Sequence, residues 1–305
     1  MSLIEKALEK MQESRSSAPQ LGTGALRISP GAQKGPFGKV VNVARGADAG
    51  RAPAIPTRTV EINERALRDA GLLPPDHQVR QIGRQYRQIK RPLIANAFGL
   101  GTPQLPDGRL LMVTSAMPGE GKTFTAINLA FSLALEKDLH TLLVDADCLK
   151  PHISRLLGVD KEPGLLDFLQ GARNDIESLI LPTSIPGLSV LPAGNTAENM
   201  TELFASDRMR ELVMTLCADP QRLVLFDSPP LLLTTESQVL VKVVGQTVVV
   251  VRAETSPQRS VAEALELVGE GRYVALILNQ NVTAAADEYY HYYGNNREGG
   301  DGRSD

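Results

Sequence analysis

Apolar residues recur along this chain with two different periods, and the places where the period changes mark out its elements. Between Arg109 and Asn279, short apolar runs alternate with longer stretches whose apolar positions fall three and four apart. The short runs predict strands at 110–114, 141–145, 188–191, 223–227, 247–252 and 274–279. Strands that are apolar on both faces and separated by helical pattern need cover on both sides. The expectation is therefore an α/β fold: a mostly parallel, twisted sheet flanked by helices and joined by crossover units.

The ends of the chain have a different character. Residues 2–13 place Leu3, Ile4, Ala7, Leu8 and Met11 on one side of a short amphipathic helix. From about Ser16 to Arg58 the composition turns to Gly, Ala, Pro and Ser, with six basic residues against Asp48 alone, which predicts a flexible basic linker; its end is set at residue 75. Residues 76–96 form a basic helical piece with Arg80, Arg84, Arg87, Lys90 and Arg91. The compact domain is expected over 76–281, and the polar, glycine-rich segment 282–305 is expected to be a mobile tail.

Bulk properties narrow the classes. The chain has 305 residues, a net charge of −3 and a pI near 5.9, so nothing argues for a nucleic-acid partner. Two cysteines, Cys148 and Cys217, suit a reduced compartment better than a disulfide scaffold, and the histidines lack metal-ligand spacing. No apolar run reaches the roughly eighteen residues of a membrane span, and MSLIEKALEKMQESR is too charged for a signal peptide. The expectation is a cytoplasmic chain without its own membrane span.

The candidate chemistry begins at SAMPGEGKT, which lies between the first strand and the first strong helix. Gly119 and Gly121 allow the backbone to approach phosphates closely, and the helix N-terminus adds partial positive charge. Lys122 would neutralise the β- and γ-phosphates, and Thr123 would offer its hydroxyl to Mg2+. Ala116 stands where the strict loop pattern has glycine. The nucleotide-binding stretch is Met117, Pro118, Gly119, Glu120, Gly121, Lys122, Thr123 and Phe124, and it predicts a P-loop NTPase fold with ATP and Mg2+ as cofactors. Two later strands end in acids: Asp145 and Asp147 in VDAD, which share one side of an extended backbone, and Asp227 in VLFD, which resembles a magnesium-holding aspartate.

Taken together, PGEGKT, VDADCLKP, LFDSPP and a C-terminal tyrosine cluster resemble the bacterial tyrosine kinases. GLLDFLQG and LPAGNTAENMTELFAS are similar to further segments of that family, and SLIEKALEKM with RQIKRPLIANA resembles its exosortase-associated branch. The resemblance implies autophosphorylation coupled to exopolysaccharide synthesis, homo-oligomers, and activation by a membrane adaptor of the chain-length-determinant type that recruits the chain to the inner face of the membrane. It supports Lys122, Asp145, Asp147 and Asp227 as catalytic residues. Asp145 would orient or accept the tyrosine proton, and Thr123, Asp145 and Asp227 would form the metal side. Three positions depart from the family: Leu149 stands in place of an arginine, with Lys150 beside it; Glu236 stands in place of an aspartate; and the family's ExxRxxR self-association helix has Arg84, Arg87 and Lys90 at that spacing, without its acid.

Tyr289, Tyr290, Tyr292 and Tyr293 are four of the six tyrosines in the chain and are the expected phosphoacceptors. Phosphorylation would add about −1.5 to −2 charges at each. Two alternatives share the fold: a partitioning or septum-site ATPase switch, and an ATP-binding scaffold without catalysis. The first usually reads KGGxGKT, and here Met117 and Pro118 replace its lysine and first glycine.

Overall fold

The computed structural model describes residues 59–281. The expected N-terminal helix, the expected linker as far as residue 58, and the expected mobile tail with Tyr289, Tyr290, Tyr292 and Tyr293 lie outside them. In chain order the elements are α1 (Glu64–Asp69), α2 (Val79–Phe98), β1 (Leu110–Ser115), α3 (Lys122–Ala134), β2 (His140–Asp145), α4 (His152–Leu156), α5 (Leu165–Leu169), β3 (Leu181–Pro182) and β4 (Leu188–Leu191). These are followed by α6 (Met200–Phe204), α7 (Asp207–Leu216), β5 (Arg222–Asp227), α8 (Thr235–Leu240), β6 (Gln246–Arg252), α9 (Gln258–Val268) and β7 (Tyr273–Asn279).

The strands form one sheet in the order β3-β4-β2-β5-β1-β6-β7, parallel except where β3 pairs with β4. All six expected strands are present. The period-two alternation explains why they read as continuous apolar runs: Leu110 and Met112 enter the core on one face of the sheet, while Leu111 and Val113 enter the core on the other. The first core takes in residues of α5 to α9, and the second residues of α1 to α4. In the register of the parallel pair β2 and β5, Asp145 lies beside Asp227, so two acids share the carboxyl edge of the sheet, where open α/β folds bind ligands.

The expected linker boundary at residue 75 is corrected by the fold. Residues 59–75 form a strap on the domain: Val60 bridges to Thr183, Asn63 caps α1 by accepting from the Ala66 N–H, and Val60, Leu67, Leu72 and Leu73 are buried. The Asn128 side chain on α3 donates to the Leu72 carbonyl at 2.8 Å. The basic helix also differs from expectation at one residue, because Lys90 is buried, with its ammonium 2.5 Å from the Ser132 carbonyl oxygen and 2.7 Å from Glu136.

GLLDFLQG and PAGN form a structural knot. Asp167 accepts from the Gly164 N–H at 2.8 Å, the Asn195 N–H at 3.0 Å and the Asn195 side chain at 2.5 Å. Gly164 packs so closely that a Cβ there would collide with the Pro192 carbonyl oxygen. Burial works to raise the Asp167 pKa, but the Asn195 side chain and the Gly164 and Asn195 amides outweigh it and hold the carboxyl below its usual range.

Candidate active site

The loop between β1 and α3 turns through two left-handed glycines, Gly119 at φ 79° and Gly121 at φ 96°. Lys122 opens α3, so the helix N-terminus faces the loop. Inside the loop, Ser115 donates to the Met117 carbonyl at 2.7 Å, and the Met117 N–H donates to Glu120 at 2.8 Å. Glu120 is buried and its other carboxylate oxygen accepts from Ser256, so it braces the loop from within. Asn279, at the end of β7, donates to the Glu120 carbonyl at 3.0 Å, and a Cβ at Gly121 would collide with its amide.

An open cavity of about 410 Å³ lies over the loop. Gly119, Gly121, Lys122, Thr123 and Phe124 form its floor. Gly71 and Leu72 of the strap, together with Asn279 and Gln280, line it as well, as do Asp147, Lys150 and His152. Met117, Pro118 and Glu120 belong to the loop but do not line the cavity.

The acids occupy distinct positions. Asp147 lines the cavity and pairs with Lys122, Oδ2 to Nζ, at 3.3 Å. Asp227 accepts from the Thr123 hydroxyl at 2.9 Å. Asp145 does not line the cavity; its Oδ2 accepts from the Ser154 N–H at 2.8 Å and the Ser154 hydroxyl at 2.7 Å. Asp145 Oδ1 and Asp227 Oδ1 are both buried without a hydrogen-bond partner. Burial pushes the Asp145 carboxyl up to about 6 against the pull of Ser154. Burial likewise pushes Asp227 up to about 8, with Lys122 pulling down and the Asp145 charge pushing up.

Two orphaned buried carboxylate oxygens beside a threonine hydroxyl make a hard, all-oxygen donor set, which fits Mg2+. Among the described residues no three His, Cys, Asp or Glu side chains form a complete metal cage.

Sequence reasoning missed Ser154, Ser256, Asn279 and Gln280, and with them Gly71, Leu72 and His152 of the cavity wall. The available signal for Asn279 was a polar residue ending an apolar strand at the carboxyl edge, the same pattern that flagged Asp145 and Asp227. Ser154 and Ser256 gave no local signal.

Residues 108–272 match the AAA domain family. The chain is 32% identical over 184 residues to the tyrosine-protein kinase YwqD of Bacillus subtilis, covering 60% of this chain and 76% of that protein. It is 37% identical over 157 residues to the putative tyrosine-protein kinase EpsB of Ralstonia nicotianae, covering 52% of this chain but only 20% of that protein. The chain thus spans about a fifth of the length of that larger relative. Among solved structures, the kinase domain of the Escherichia coli tyrosine kinase ETK superposes with a TM-score of 0.58 at 26% identity, covering 75% of this chain and 84% of that one. The VpsO kinase domain superposes with a TM-score of 0.56 at 30% identity, covering 68% of this chain and all of that one. The AAA domain match together with these relatives means that the chain belongs to the family of bacterial tyrosine kinases, with the kinase-domain fold of a P-loop NTPase.

Proposed function

We propose that the chain is an ATP-dependent tyrosine autokinase that transfers the γ-phosphoryl group to Tyr289, Tyr290, Tyr292 and Tyr293 of its own C-terminal segment. The observation that carries this reading is the pairing of Lys122 with Asp147 and of Thr123 with the strand-end Asp227, itself beside Asp145, at one glycine loop in a chain whose relatives are named tyrosine-protein kinases. Regulation of exopolysaccharide synthesis, activation by a chain-length-determinant-type membrane adaptor and homo-oligomer formation belong to the same proposal. No helix among the described residues is long and apolar enough to cross a membrane.

The chemistry follows from what each side chain can reach. Phosphoryl transfer has a loose transition state, so positioning and charge neutralisation dominate over proton removal. The loop N–H groups and the α3 N-terminus hold the phosphate oxygens. Lys122 leaves Asp147 to meet the incoming triphosphate, whose charge outcompetes a single carboxylate. Thr123, Asp227 and the free oxygen of Asp145 would hold Mg2+, which would offset the negative charge developing in the transfer. Asp147 on the cavity wall takes the phenolic proton, a role the sequence reading gave to Asp145. The burial of Asp145 and its clamp by Ser154 support this reassignment.

A Lys122→Met variant tests the reading. Purified chain incubated with Mg-ATP labelled at the γ-phosphate should gain phosphotyrosine within residues 287–305, and the variant should gain none. Equal labelling of the two would refute it.

A further inference from the structure

Arg80, Arg84, Arg87 and Arg91 recur along α2 at intervals of four, three and four residues. At about 100° per residue, that spacing confines them to an arc of about 60°. All four are exposed, whereas Tyr86, Lys90, Leu93 and Ala97 on the other side of the helix are buried. α2 contains no acidic residue. Among the described residues none of the four guanidinium groups takes part in a hydrogen bond or ion pair, while Lys90 is engaged by Ser132 and Glu136. Such a row of unpaired arginines has no role in holding the fold together.

We propose that this stripe is the docking site for residues 282–305 of the same chain once their tyrosines carry phosphate, an inference that rests on the kinase reading above. The charges are complementary: that segment contains Asp287, Glu288, Glu298, Asp301 and Asp305 against Arg297 and Arg303, and each phosphotyrosine adds about −1.5 to −2. The chemistry selects phosphate, because the planar guanidinium fork donates two parallel bonds to a phosphate and the stripe is entirely arginine. The lengths also agree. Arg80 to Arg91 spans about 16 Å of helix, and Tyr289 to Tyr293 spans about 13 Å when extended.

Reach is sufficient. The described chain ends at Asn281, one residue beyond Gln280 on the cavity wall, and eight further residues to Tyr289 cover at most about 28 Å. On the same cavity, Leu72 precedes the first residue of α2 by seven positions. Phosphorylation thereby draws the acceptor segment onto α2.

The test uses the full chain after phosphatase treatment and a labelled synthetic peptide of residues 284–297, carrying either no phosphotyrosine or four. Fluorescence anisotropy should show the phosphopeptide binding at least tenfold more tightly. The Arg84→Gln/Arg87→Gln double variant should lose roughly tenfold, with an unchanged melting temperature and unchanged phosphoryl transfer to an exogenous tyrosine peptide. Lysine at both positions should restore only part of the affinity, and an equal charge change elsewhere, Arg65→Gln/Arg173→Gln, should leave it as in the parent. Equal affinity for the two peptides, or parent-like affinity in the glutamine double variant, overturns the proposal. So does pelleting of the parent, but not of the glutamine variant, with phosphatidylglycerol vesicles that the phosphopeptide fails to displace, since the stripe would then be a membrane face. Because the peptide arrives already phosphorylated, failure here is separate from failure of the Lys122→Met experiment.

Discussion

Replacing Asp147 with asparagine should tighten nucleotide binding while slowing transfer. Asp147 holds Lys122 at 3.3 Å, with side-chain exposures of only 11% and 16%. At that separation the pair has a gross attraction of about 5 kcal/mol at an effective dielectric of about 20. Desolvation offsets most of it, leaving about 1–2 kcal/mol to be given up when the lysine turns to the phosphates. The neutral amide would leave Lys122 free in advance and remove a negative charge facing the phosphates. ADP affinity, measured with a fluorescent analogue in EDTA so that no metal contributes, should therefore rise about tenfold. Phosphoryl transfer should fall by about 100-fold or more, since the proposed acceptor of the phenolic proton is gone. An unchanged or weaker ADP affinity would show that the Lys122–Asp147 pair does not compete with nucleotide. A normal transfer rate would return the proton role to Asp145.

Asp227→Asn should raise the melting temperature in the absence of Mg2+ and nucleotide, because burial pushes the Asp227 carboxyl up to about 8 and the amide spares folding the cost of protonating it beside Asp145, a gain of about 1–3 kcal/mol, and it should abolish transfer. A melting temperature below that of the parent would contradict this. Gly164→Ala should cost about 2–4 kcal/mol in urea unfolding, because its Cβ would meet backbone at the Pro192 carbonyl rather than a side chain able to move away. The Asp167 carboxyl lies below its unfolded value, so its stabilisation is present above the ordinary carboxylate range and is lost as pH falls through the lower folded value. Asp167→Asn should accordingly be less stable than the parent near neutral pH and lose less stability than the parent between about pH 5 and pH 3; parallel acid-unfolding curves would remove Asp167 from the account.

The central strands and the phosphate loop could be read directly from the chain because their signals are local. Apolar runs such as LLMV and LVLF have no other comfortable environment, and a GEGKT turn between strand and helix has few uses. The strap escaped notice because its buried residues, Val60, Leu67, Leu72 and Leu73, are separated by polar and turn-forming neighbours and gain their meaning only from α3 and β3. β3 itself is two residues long, one of them Pro182, and no period can be seen at that length. Lys90 looked like its arginine neighbours in sequence. Only the packing of α2 on α3 turns it inward, onto carbonyl and carboxylate groups that nothing in the helix sequence announces. The different settings of Asp145 and Asp147 are hidden for the same reason: alternation puts both on one side of an extended backbone, but Ser154, nine residues on from Asp145, holds that acid and leaves the cavity to Asp147.

The bond from Asn279 to the Glu120 carbonyl gears the last strand to the loop that cradles the nucleotide. Displacing the loop backbone at Glu120 would break that bond or pull on the end of β7, two residues before the last described residue.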